Sequence, residues 1–484
     1  MKCGVFLFAL FLADIGIGSG ADKPNVEAAK GPLRKHPSNP RYFSDGSGKA
    51  VYLTGSHTWN NLQDGGWAAE SDGQKWSNNL KPFDYPGYLK FMREYHHNFI
   101  RLWTPENAAD VGLGKPVNPV AFLRTGPGKA LDGQPKFDIT KLDQAYFDRL
   151  RERVIAARDS GIYVSIMLFD VWGVGLYGNL DSWKGHPFHP SNNVNGINGD
   201  PNGTGKGLEC HTLAIAAVTA AQDAYVRKVI DMVNDLDNVL YEIDNEGAAD
   251  SKEWQYRMIK FIKKYEAGKP KQHPVGLTAI NPGTNELLMA SPADWISPLT
   301  IDPVPGQDYV DDPPAATGDK VIISDTDHLA NNIQTPKRAT HVWVWKSFTR
   351  GINPIYMDQL PDLGGPVCCP ISPHAEDVRK AMGYSRRYAD KMNLAAMTPR
   401  NGLSSTAYCL AQSGSEYLVY QPMGGAFTVT LAGGTYSVEW FNPQTGTASA
   451  AGAMKGGADV KFTPPFDGDA VLYLKSGAAP GRSK

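Results

Sequence analysis

Short apolar runs alternate with longer amphipathic segments between about residues 49 and 395 of this 484-residue chain. Apolar runs bounded by polar residues are typical of buried strands, whereas apolar residues that recur every fourth position indicate a helix. Leu142, Tyr146, Leu150 and Val154 follow the helical spacing, which predicts a helix from residue 142 to about 159. Strands that alternate with helices in this way predict βα units and a parallel sheet.

Eight apolar runs fit this pattern, and helices are predicted between most of them. The predicted strands cover residues 51–54, 98–103, 163–169, 239–243, 275–279, 295–297, 321–324 and 354–357. The other predicted helices lie at about 212–235, 252–266, 337–350 and 374–392. Eight βα units predict an α/β fold, a (β/α)8 TIM barrel, whose longest loops are residues 171–211 and 300–318. A doubly wound sheet is the main alternative, but residues 55–61 lack its Gly-rich phosphate turn.

After about residue 396 the pattern changes to short strand-like runs separated by turns. The six strands predicted there cover residues 405–412, 415–421, 426–431, 435–442, 458–463 and 470–474, and residues 449–457 count as low-complexity Gly/Ala sequence. Such a pattern predicts a small antiparallel β-sandwich. The expected organisation is therefore a signal peptide (1–21), a barrel (22–395), a β-sandwich (396–476) and a tail (477–484).

Charge and the amino-terminal sequence limit the partners and the compartment. The formal net charge of −2 argues against a nucleic-acid or anionic-membrane partner, because both need a basic patch. Lys2, the apolar residues 4–18 and the small residues 18–21 form the pattern of an export signal, although Asp14 interrupts the apolar run. No other apolar run approaches the ~20 residues of a membrane span. We expect a secreted or periplasmic protein, and the sequence leaves its oligomeric state open.

Removal of the signal peptide would leave four cysteines, Cys210, Cys368, Cys369 and Cys409. Four cysteines in an oxidising compartment permit three pairings, and the sequence does not choose among them. A vicinal disulfide between the adjacent Cys368 and Cys369 is one possibility, and reduced cysteines are another.

One candidate catalytic strand runs from Asn238 to Gly247 (NVLYEIDNEG) and ends in Asn245 and Glu246. Catalytic residues of barrel enzymes lie at the carboxyl ends of strands. Cleavage of a glycosidic bond needs a carboxylic acid there to protonate the leaving oxygen, and Glu246 is predicted in this role. Asn245 is expected to hydrogen-bond a sugar hydroxyl. The alternative is that these polar residues only begin the following helix.

A second apolar strand, residues 320–328, ends in Asp325, Asp327 and His328. Alternate residues of a strand share a face, so the two aspartates are expected on the same side. A retaining glycosidase needs its two carboxyl groups about 5–5.5 Å apart, and strands four and seven lie roughly across a barrel from each other. Asp325 or Asp327 is therefore predicted as the second catalytic carboxylate, while the other caps a helix or pairs with Arg101.

Other strand ends carry further polar and aromatic residues. Arg101 on the second strand is expected to pair with a carboxylate and keep it ionised. The remaining candidates for substrate binding, each with a core or capping role as its alternative, are His57, Trp59, Asn60, Trp103, Asp170, Trp172, His328 and Asp358. The spacing of His186, His189, His211 and His328 matches no common ligand pattern, so we predict neither a metal nor a cofactor.

This layout resembles the clan of retaining (β/α)8 glycoside hydrolases known as clan A. In that clan an Asn-Glu pair follows strand four, the nucleophile follows strand seven, and strand two usually keeps an arginine. The pair Asn245-Glu246 and Arg101 match these positions. The resemblance covers roughly residues 35–476, and it implies the barrel fold, glycosidase activity and the acid/base role of Glu246.

Longer motifs are similar to one group within the clan. Residues 40–46 (PRYFSDG), 53–59 (LTGSHTW) and 345–357 resemble the apiosidase-like group. Residues 440–446 (WFNPQTG) and 462–466 (FTPPF) resemble a small β-domain, often appended to that group, which is labelled collagen-binding. We infer no collagen binding from this label.

One departure from the clan concerns the nucleophile, which is normally Glu where this chain offers Asp325 and Asp327. If Asp325 is the nucleophile, the sugar must lie closer to the strand, because Asp is one methylene shorter than Glu. Alternatively, Asp327 reaches further into the cleft and is the nucleophile. In a third possibility an aspartate acts as a base that activates water, and the enzyme is then inverting.

The expected function is that of a secreted glycoside hydrolase acting on a plant or microbial oligo- or polysaccharide. One alternative is a non-catalytic carbohydrate-binding barrel that lost its nucleophile. The other is a peptidase, for which the sequence lacks both a GxSxG elbow and an HExxH helix.

Overall fold

A parallel sheet of eight strands lies at the centre of the protein. The computed structural model describes residues 27–65, 82–110, 115–175, 180–299, 308–329, 340–365 and 371–477. The central strands are β1 Gly55–His57, β2 Phe99–Leu102, β3 Tyr163–Asp170, β4 Val239–Asn245, β5 Val275–Leu277, β6 Trp295–Ile296, β7 Val321–Asp325 and β8 Asn353–Met357. Seven of them coincide with predicted apolar runs, and β1 directly follows the eighth.

The sheet closes on itself. The strands are hydrogen-bonded in the order β1-β8-β7-β6-β5-β4-β3-β2, and the paired neighbours run parallel. The two end strands meet just before β1 and β2, where the backbone N–H of Asn98 donates to the carbonyl oxygen of Thr54 at 3.0 Å. The backbone N–H of Thr54 in turn donates to the side-chain oxygen of Asn98 at 3.0 Å. This closure confirms the predicted barrel fold.

Helices follow the strands and cover the outside of the barrel. They are α1 Tyr85–Glu94, α2 Gln144–Asp159, α3 Leu180–Lys184, α4 Ala216–Val233, α5 Lys252–Glu266, α6 Asn285–Ala290, α7 His341–Thr349 and α8 Ala375–Lys391. Asp143 begins α2, because its carboxylate accepts the backbone N–H of Ala145 at 3.1 Å. Among the helices of the described ranges, none is both long and apolar enough to cross a membrane.

Large apolar side chains fill the barrel at the amino ends of the strands. The buried cluster there consists of Ala29, Leu33, Phe43, Leu53, Phe99, Tyr163, Leu240, Trp295, Val321, Ile323 and Ile355. The ring of Trp295 lies against Gly276, where an added Cβ would fall 1.9 Å from a ring carbon. A glycine in a strand is typical of such a close approach. Because this layer occupies the amino end, the polar interior of the barrel is confined to the carboxyl ends of the strands.

Several elements of the barrel differ from the predictions, and helices α1, α3 and α6 lie outside the predicted helical ranges. The strand Ala50–Val51, which overlaps only the first residue of the first predicted run, pairs with Phe43–Ser44 in a small antiparallel sheet. A hairpin of Phe122–Lys129 and Pro135–Leu142 precedes α2, where no strand was predicted. Most of its residues are partly or fully exposed, so the sequence shows no continuous apolar run there.

The carboxy-terminal domain is antiparallel, as predicted. Its strands are β9 Thr398–Pro399, β10 Cys409–Gln412, β11 Glu416–Gln421, β12 Phe427–Thr430, β13 Thr435–Asn442, β14 Thr447–Lys455, β15 Asp459–Phe462 and β16 Ala470–Ser476. The larger sheet has the order β9-β10-β11-β16-β13-β14, and β12 pairs with β15. β14 includes much of the stretch assigned to low-complexity sequence. Nearly all of its residues are exposed at the sheet edge, so no apolar alternation marks it.

The β-domain packs directly on helices α7 and α8. The ring of Trp345 in α7 stacks on that of Tyr420 with centroids 6.2 Å apart, and its centroid lies 5.7 Å from that of Phe441. The hydroxyl of Tyr388 in α8 donates to a carboxylate oxygen of Glu439 at 2.7 Å. One buried apolar cluster therefore extends from the barrel into the β-domain.

The long insertion after β3 is folded where it is described, because Trp183 and Phe188 are buried within it. Cys210 at its end and Cys409 in β10 are buried free thiols, so neither takes part in a disulfide. Cys368, Cys369 and the predicted signal peptide lie outside the described residues.

Replacement of Trp345 tests whether the two domains depend on each other. We expect Trp345→Ala to lower the free energy of unfolding by about 3–5 kcal/mol, because it removes a large buried side chain from the shared cluster. Urea unfolding of the full chain, followed by circular dichroism, measures this loss. The matched change Met423→Ala alters a side chain that is 88% exposed and should stay within about 0.5 kcal/mol of the parent. An unchanged stability of Trp345→Ala would contradict the shared core.

Candidate active site

The guanidinium of Arg101 lies at the centre of a buried polar network at the carboxyl ends of the strands. Its Nε donates to Glu242 Oε2 at 2.9 Å, and Nη2 donates to Asn245 Oδ1 at 2.6 Å, so both partners come from β4. Its Nη1 donates to Asp325 Oδ2 at 2.8 Å and to Asp327 Oδ2 at 3.3 Å, at the end of β7. The arginine therefore joins the two strand ends that the sequence indicated as catalytic.

Strand β4 reaches Arg101 through two residues that strict alternation would place on opposite faces. Glu242 and Asn245 lie three positions apart, and both contact the same guanidinium. The alternation is thus broken near the end of the strand, and Asp244 lies on the other side. Glu242 was not predicted as a site residue, because it stands inside the apolar run rather than after it.

Asp325 is fully buried and is held as a carboxylate. Its oxygens accept hydrogen bonds from His57 Nε2 at 2.9 Å, from the backbone N–H of Asp327 at 2.9 Å, and from Arg101. Burial alone would raise its pKa, but the interactions with His57 and Arg101 outweigh burial and hold the pKa of Asp325 well below its usual range.

The imidazole of His57 is oriented by Trp103. The indole Nε1–H of Trp103 donates to His57 Nδ1 at 3.1 Å. Since Nδ1 accepts this hydrogen bond, Nε2 is the ring nitrogen that donates to Asp325. The two rings are nearly parallel, with an angle of 12° between their planes. Trp103 also lies beside Arg101, whose guanidinium carbon is 4.9 Å from the ring centroid.

Asp327 has a different environment from Asp325, although both bind Arg101. The side chain of Asp327 is 9% exposed, whereas that of Asp325 is completely buried. Burial and the negative charge of Asp325 raise the pKa of Asp327 to about 6, and Arg101 only partly offsets them. The two aspartates therefore differ both in accessibility and in the pH at which they ionise.

Asn245 is fixed from two sides. Its Oδ1 accepts from Arg101 and from His328 Nε2, the latter at 3.0 Å. His328 Nδ1 lies 2.7 Å from the hydroxyl of Ser297, which donates to it. Burial and the charge of Arg101 lower the pKa of His328 to about 3, so this imidazole is neutral. The Nδ2 of Asn245 is buried and has no acceptor among the described residues, which leaves it as a donor for a ligand.

Glu246 directly follows β4 and is partly exposed. Its φ of 54° lies in the left-handed region, which is uncommon for a residue other than glycine. Strained backbone of this kind is concentrated at functional sites, where the surrounding structure maintains it. Gly247 follows it, and an added Cβ there would fall 2.3 Å from the Gln255 side chain and 2.6 Å from that of Asp244. The turn that carries Glu246 therefore needs glycine next.

Two further residues predicted for substrate binding, Trp59 and Asn60, follow β1. Trp59 is partly buried, and its ring centroid is 6.2 Å from that of Trp103 in an edge-on arrangement. Asn60 is buried with φ at 47°, and its side-chain oxygen has no donor among the described residues. Trp59 thus offers a partly exposed aromatic edge beside Trp103.

Other predicted substrate-binding residues have structural partners instead. The carboxylate of Asp170 accepts the backbone N–H of Gly173 at 3.1 Å and caps the short turn after β3. Asp358 accepts two hydrogen bonds of 2.7 Å from Arg379 of α8, so both of its oxygens are bound outside the barrel interior. For Asp170 the capping alternative fits the structure, whereas the ion pair of Asp358 with Arg379 was not among the alternatives. The side chain of Trp172 lies outside the described residues.

One group of side chains has the composition of a metal site. One ligand atom each from Asp325, Asp327 and His328 lie within 4.8 Å of one another. However, Arg101 already binds both carboxylates, and both nitrogens of His328 are hydrogen-bonded to Ser297 and Asn245. A fixed guanidinium and a dication would compete for the same oxygens, so the arrangement fits the arginine rather than an ion.

Solved structures with a similar fold include glycoside hydrolases. One, named "Glycoside hydrolase", superposes with a TM-score of 0.58 at 13% identity, over 92% of this chain and 97% of its own. A glycoside hydrolase family 5 protein from Bacteroides vulgatus gives a TM-score of 0.58 at 12% identity, over 92% and 94% of the two chains. At this identity the similarity shows the fold, and it agrees with the clan A resemblance. The apiosidase-like grouping stays a prediction.

Comparison of the sequence with family models identifies the carboxy-terminal β-domain. The family model described as "Putative collagen-binding domain of a collagenase" matches residues 397–475. This match confirms the resemblance inferred for the β-domain. Among curated proteins, none matches the chain.

Replacement of Arg101 by an uncharged residue tests whether its guanidinium stabilises the buried carboxylates. We expect Arg101→Met to lower the free energy of unfolding by about 3–5 kcal/mol, because it leaves buried carboxylates unpaired. Urea unfolding at pH 7 measures the loss, and adding Glu242→Gln to the variant should recover part of it. The exposed Arg93→Met should change stability by less than about 0.5 kcal/mol. Equal stabilities of the Arg101 and Arg93 variants would contradict the role of Arg101.

The raised pKa of Asp327 predicts a pH dependence. Its pKa of about 6 in the folded state exceeds the ~3.9 of an unfolded chain. The folded state therefore binds more protons between these values, and the contribution of Asp327 to stability falls as the pH rises from about 4 to about 6. Asp327→Asn should remove this decrease, whereas Asp377→Asn, at an exposed position of α8, should keep it. Identical pH profiles of unfolding for Asp327→Asn and the parent would refute the assignment.

Proposed function

We propose that this protein is a glycoside hydrolase that cleaves O-glycosidic bonds in an oligo- or polysaccharide. The observation that carries the proposal is the convergence of strands β4 and β7 on Arg101. Asn245 and Glu246 stand at the end of one strand, Asp325 and Asp327 at the end of the other. Hydrolysis of a glycosidic bond by two carboxyl groups requires acids from two sides of one cleft. The fold shared with glycoside hydrolases supports the same reaction.

Glu246 acts as the general acid in this proposal. It protonates the leaving oxygen and, in a double displacement, later removes a proton from the attacking water. Its partial exposure and strained backbone support a role at the surface of the cleft. The free Nδ2–H of Asn245 donates to a sugar hydroxyl and holds the ring in register beside Glu246.

Asp327 is the better candidate for the second catalytic carboxylate. A nucleophile must touch the anomeric carbon, and Asp327 is the more exposed of the two aspartates. Asp325 lies beneath it with hydrogen bonds from three donors, which suits a buried carboxylate that fixes His57 and Arg101. With a pKa of about 6, Asp327 is ionised at neutral pH, as attack on carbon requires.

The substrate class and the compartment belong to the same proposal. Trp59 supplies partly exposed aromatic surface next to the network, which suits stacking on a sugar ring, and the buried Trp103 lies behind it. A plant or microbial polysaccharide and secretion or periplasmic export follow from the resemblance and from the amino-terminal pattern of residues 1–21. Amino-terminal sequencing of the exported protein tests the cleavage near residue 21.

Loss of the Glu246 carboxyl group should abolish turnover. We expect Glu246→Gln to lower kcat by about 10²–10⁴-fold on the polysaccharide that the parent digests, because protonation of the leaving oxygen is lost. Reducing-sugar release from a panel of plant and microbial polysaccharides measures the activity. Glu253→Gln, which changes an exposed acid in the first turn of α5, serves as the control and should keep full activity. Equal activity of the two variants would remove Glu246 from the mechanism.

The stereochemistry of the reaction and the identity of the second catalytic carboxylate can be tested together. Proton NMR of the first-formed sugar distinguishes retention, expected for Asp327 as nucleophile, from inversion, expected if Asp327 activates water. Asp327→Gly with added azide should form a glycosyl azide only if Asp327 is one of the two catalytic carboxylates. A glycosyl azide from Asp325→Gly alone would assign the role to Asp325.

A non-catalytic carbohydrate-binding barrel predicts a different result. In that case no polysaccharide of the panel is cleaved, and Glu246→Gln retains binding measured by affinity electrophoresis on the same polysaccharides.

A further inference from the structure

A second buried polar cluster lies on the other side of β4 from Arg101. His211, at the end of the insertion after β3, places its Nε2 2.6 Å from Glu106 Oε2 and its Nδ1 3.5 Å from Asp244 Oδ2. The ring stacks on Trp254, with centroids 4.8 Å apart and an angle of 9° between the planes. His186 Nε2 lies 3.7 Å from the other oxygen of Glu106. One imidazole thus bridges two carboxyl groups that are far apart in the sequence.

The charges in this cluster are balanced. Burial would lower the pKa of His211, but Glu106, Asp244 and Asp170 raise it to about 9. Burial would raise the pKa of Glu106, but His211 and His186 lower it to about 2. At neutral pH, His211 and Glu106 therefore form a buried ion pair.

Asp244 is the group in this cluster that stays protonated. Burial raises its pKa to about 8, and Glu106, Asp170 and Glu242 act in the same direction against His211. Its carboxyl oxygens make no hydrogen bond within the described residues, so the contact with His211 is its only polar interaction there.

Asp244 lies against the turn that carries Glu246. An added Cβ on Gly247 would fall 2.6 Å from Asp244 Oδ2, so this carboxyl group contacts the residue that follows Glu246. The backbone carbonyl of Asp244 accepts the hydroxyl of Thr278 at 2.6 Å. Asn245, between Asp244 and Glu246, is fixed from the barrel interior. Glu246 therefore projects from a backbone that is held on both faces.

We propose that Glu106, His211 and Asp244 are positioning residues for Glu246, an inference that rests on the glycosidase function proposed above. The insertion delivers His211 to the back of β4, and the ion pair with Glu106 anchors it there. His211 in turn fixes Asp244 beneath the strained turn of Glu246 and Gly247. Without the imidazole, Asp244 loses its polar contact with His211, and the turn relaxes toward a less strained backbone.

The dependence on the leaving group separates positioning from a general structural role. Cleavage of a sugar–sugar bond needs protonation of the leaving oxygen, whereas departure of 2,4-dinitrophenolate does not. The assay therefore compares the polysaccharide that the parent digests with the 2,4-dinitrophenyl glycoside of the sugar it releases. We expect His211→Gln to lower kcat on the polysaccharide about 10²-fold with KM nearly unchanged. The value of kcat/KM for the dinitrophenyl glycoside should stay within a factor of about three of the parent.

The chain offers a matched control for this substitution. His273 is also buried and also paired with a glutamate, since its Nδ1 lies 2.8 Å from Glu266 Oε1 and its Nε2 donates to the carbonyl of Leu236 at 2.9 Å. Neither of these partners belongs to the turn of Glu246 and Gly247. His273→Gln should therefore lose stability without any change in leaving-group dependence. Equal losses of His211→Gln on both substrates, or the same selective loss in His273→Gln, would overturn the proposal.

A second measurement does not depend on activity. Nitrogen-15 NMR of the histidines in the full-length protein should show the His211 ring ionising near pH 9, and Glu106→Gln should lower that value. A His211 ring that is neutral at pH 7 would refute the ion pair. If the parent cleaves no saccharide, the proposed function fails and the positioning role fails with it. If the parent is active but His211→Gln shows no selective loss, only the positioning role fails.

Discussion

The guanidinium of Arg101 is enclosed by carboxylates from two strands and by the ring of Trp103. Glu242 and Asp325 have no exposed surface, and a buried carboxylate is tolerated only when it is paired and hydrogen-bonded. The arginine supplies that charge for both. Its fork has enough donors to bind β4 and β7 at once, which a lysine ammonium would not do with the same fixed geometry. The relative placement of the two strand ends therefore depends on this one side chain.

The apolar layer at the amino ends of the strands explains why the charges gather where they do. Leu240, Trp295 and Ile323 fill that end of the barrel, so ionised groups are excluded from it. At the other end, the two aspartates divide their roles by depth. The deeper Asp325 is saturated with donors and fixes the orientation of His57, whereas the more exposed Asp327 keeps a raised pKa of about 6. Asp327, two positions beyond the end of β7, therefore titrates near pH 6, whereas the deeper Asp325 is held as a carboxylate.

Elements outside the barrel contribute to the same site. The insertion after β3 is long in sequence, yet its last residue, His211, is buried between Glu106 and Asp244. The β-domain is joined to α7 through Trp345 and Tyr420 rather than through a flexible linker, so the hydrophobic core is continuous across the domain boundary. Loop and domain packing therefore restrict the strands from outside, as Arg101 does from inside.

The sequence by itself determined the barrel and the two strand ends at which the candidate site residues lie. Apolar runs and helical spacing are local properties, and they indicated the barrel strands. Strand β14 was not predicted, because its exposed residues bury no apolar face. Asp170, Asp358 and Asp327 looked alike, since each is an acid near the end of an apolar strand. Only the tertiary structure distinguished them, by bringing the Gly173 N–H to the first, Arg379 to the second and Arg101 to the third. The tertiary structure also brings Glu242 and Asn245 to the same guanidinium, although the two-residue alternation of a strand would place them on opposite faces. The partner that fixes a carboxyl group comes from a distant part of the chain in most of these cases, and local periodicity contains no information about that partner.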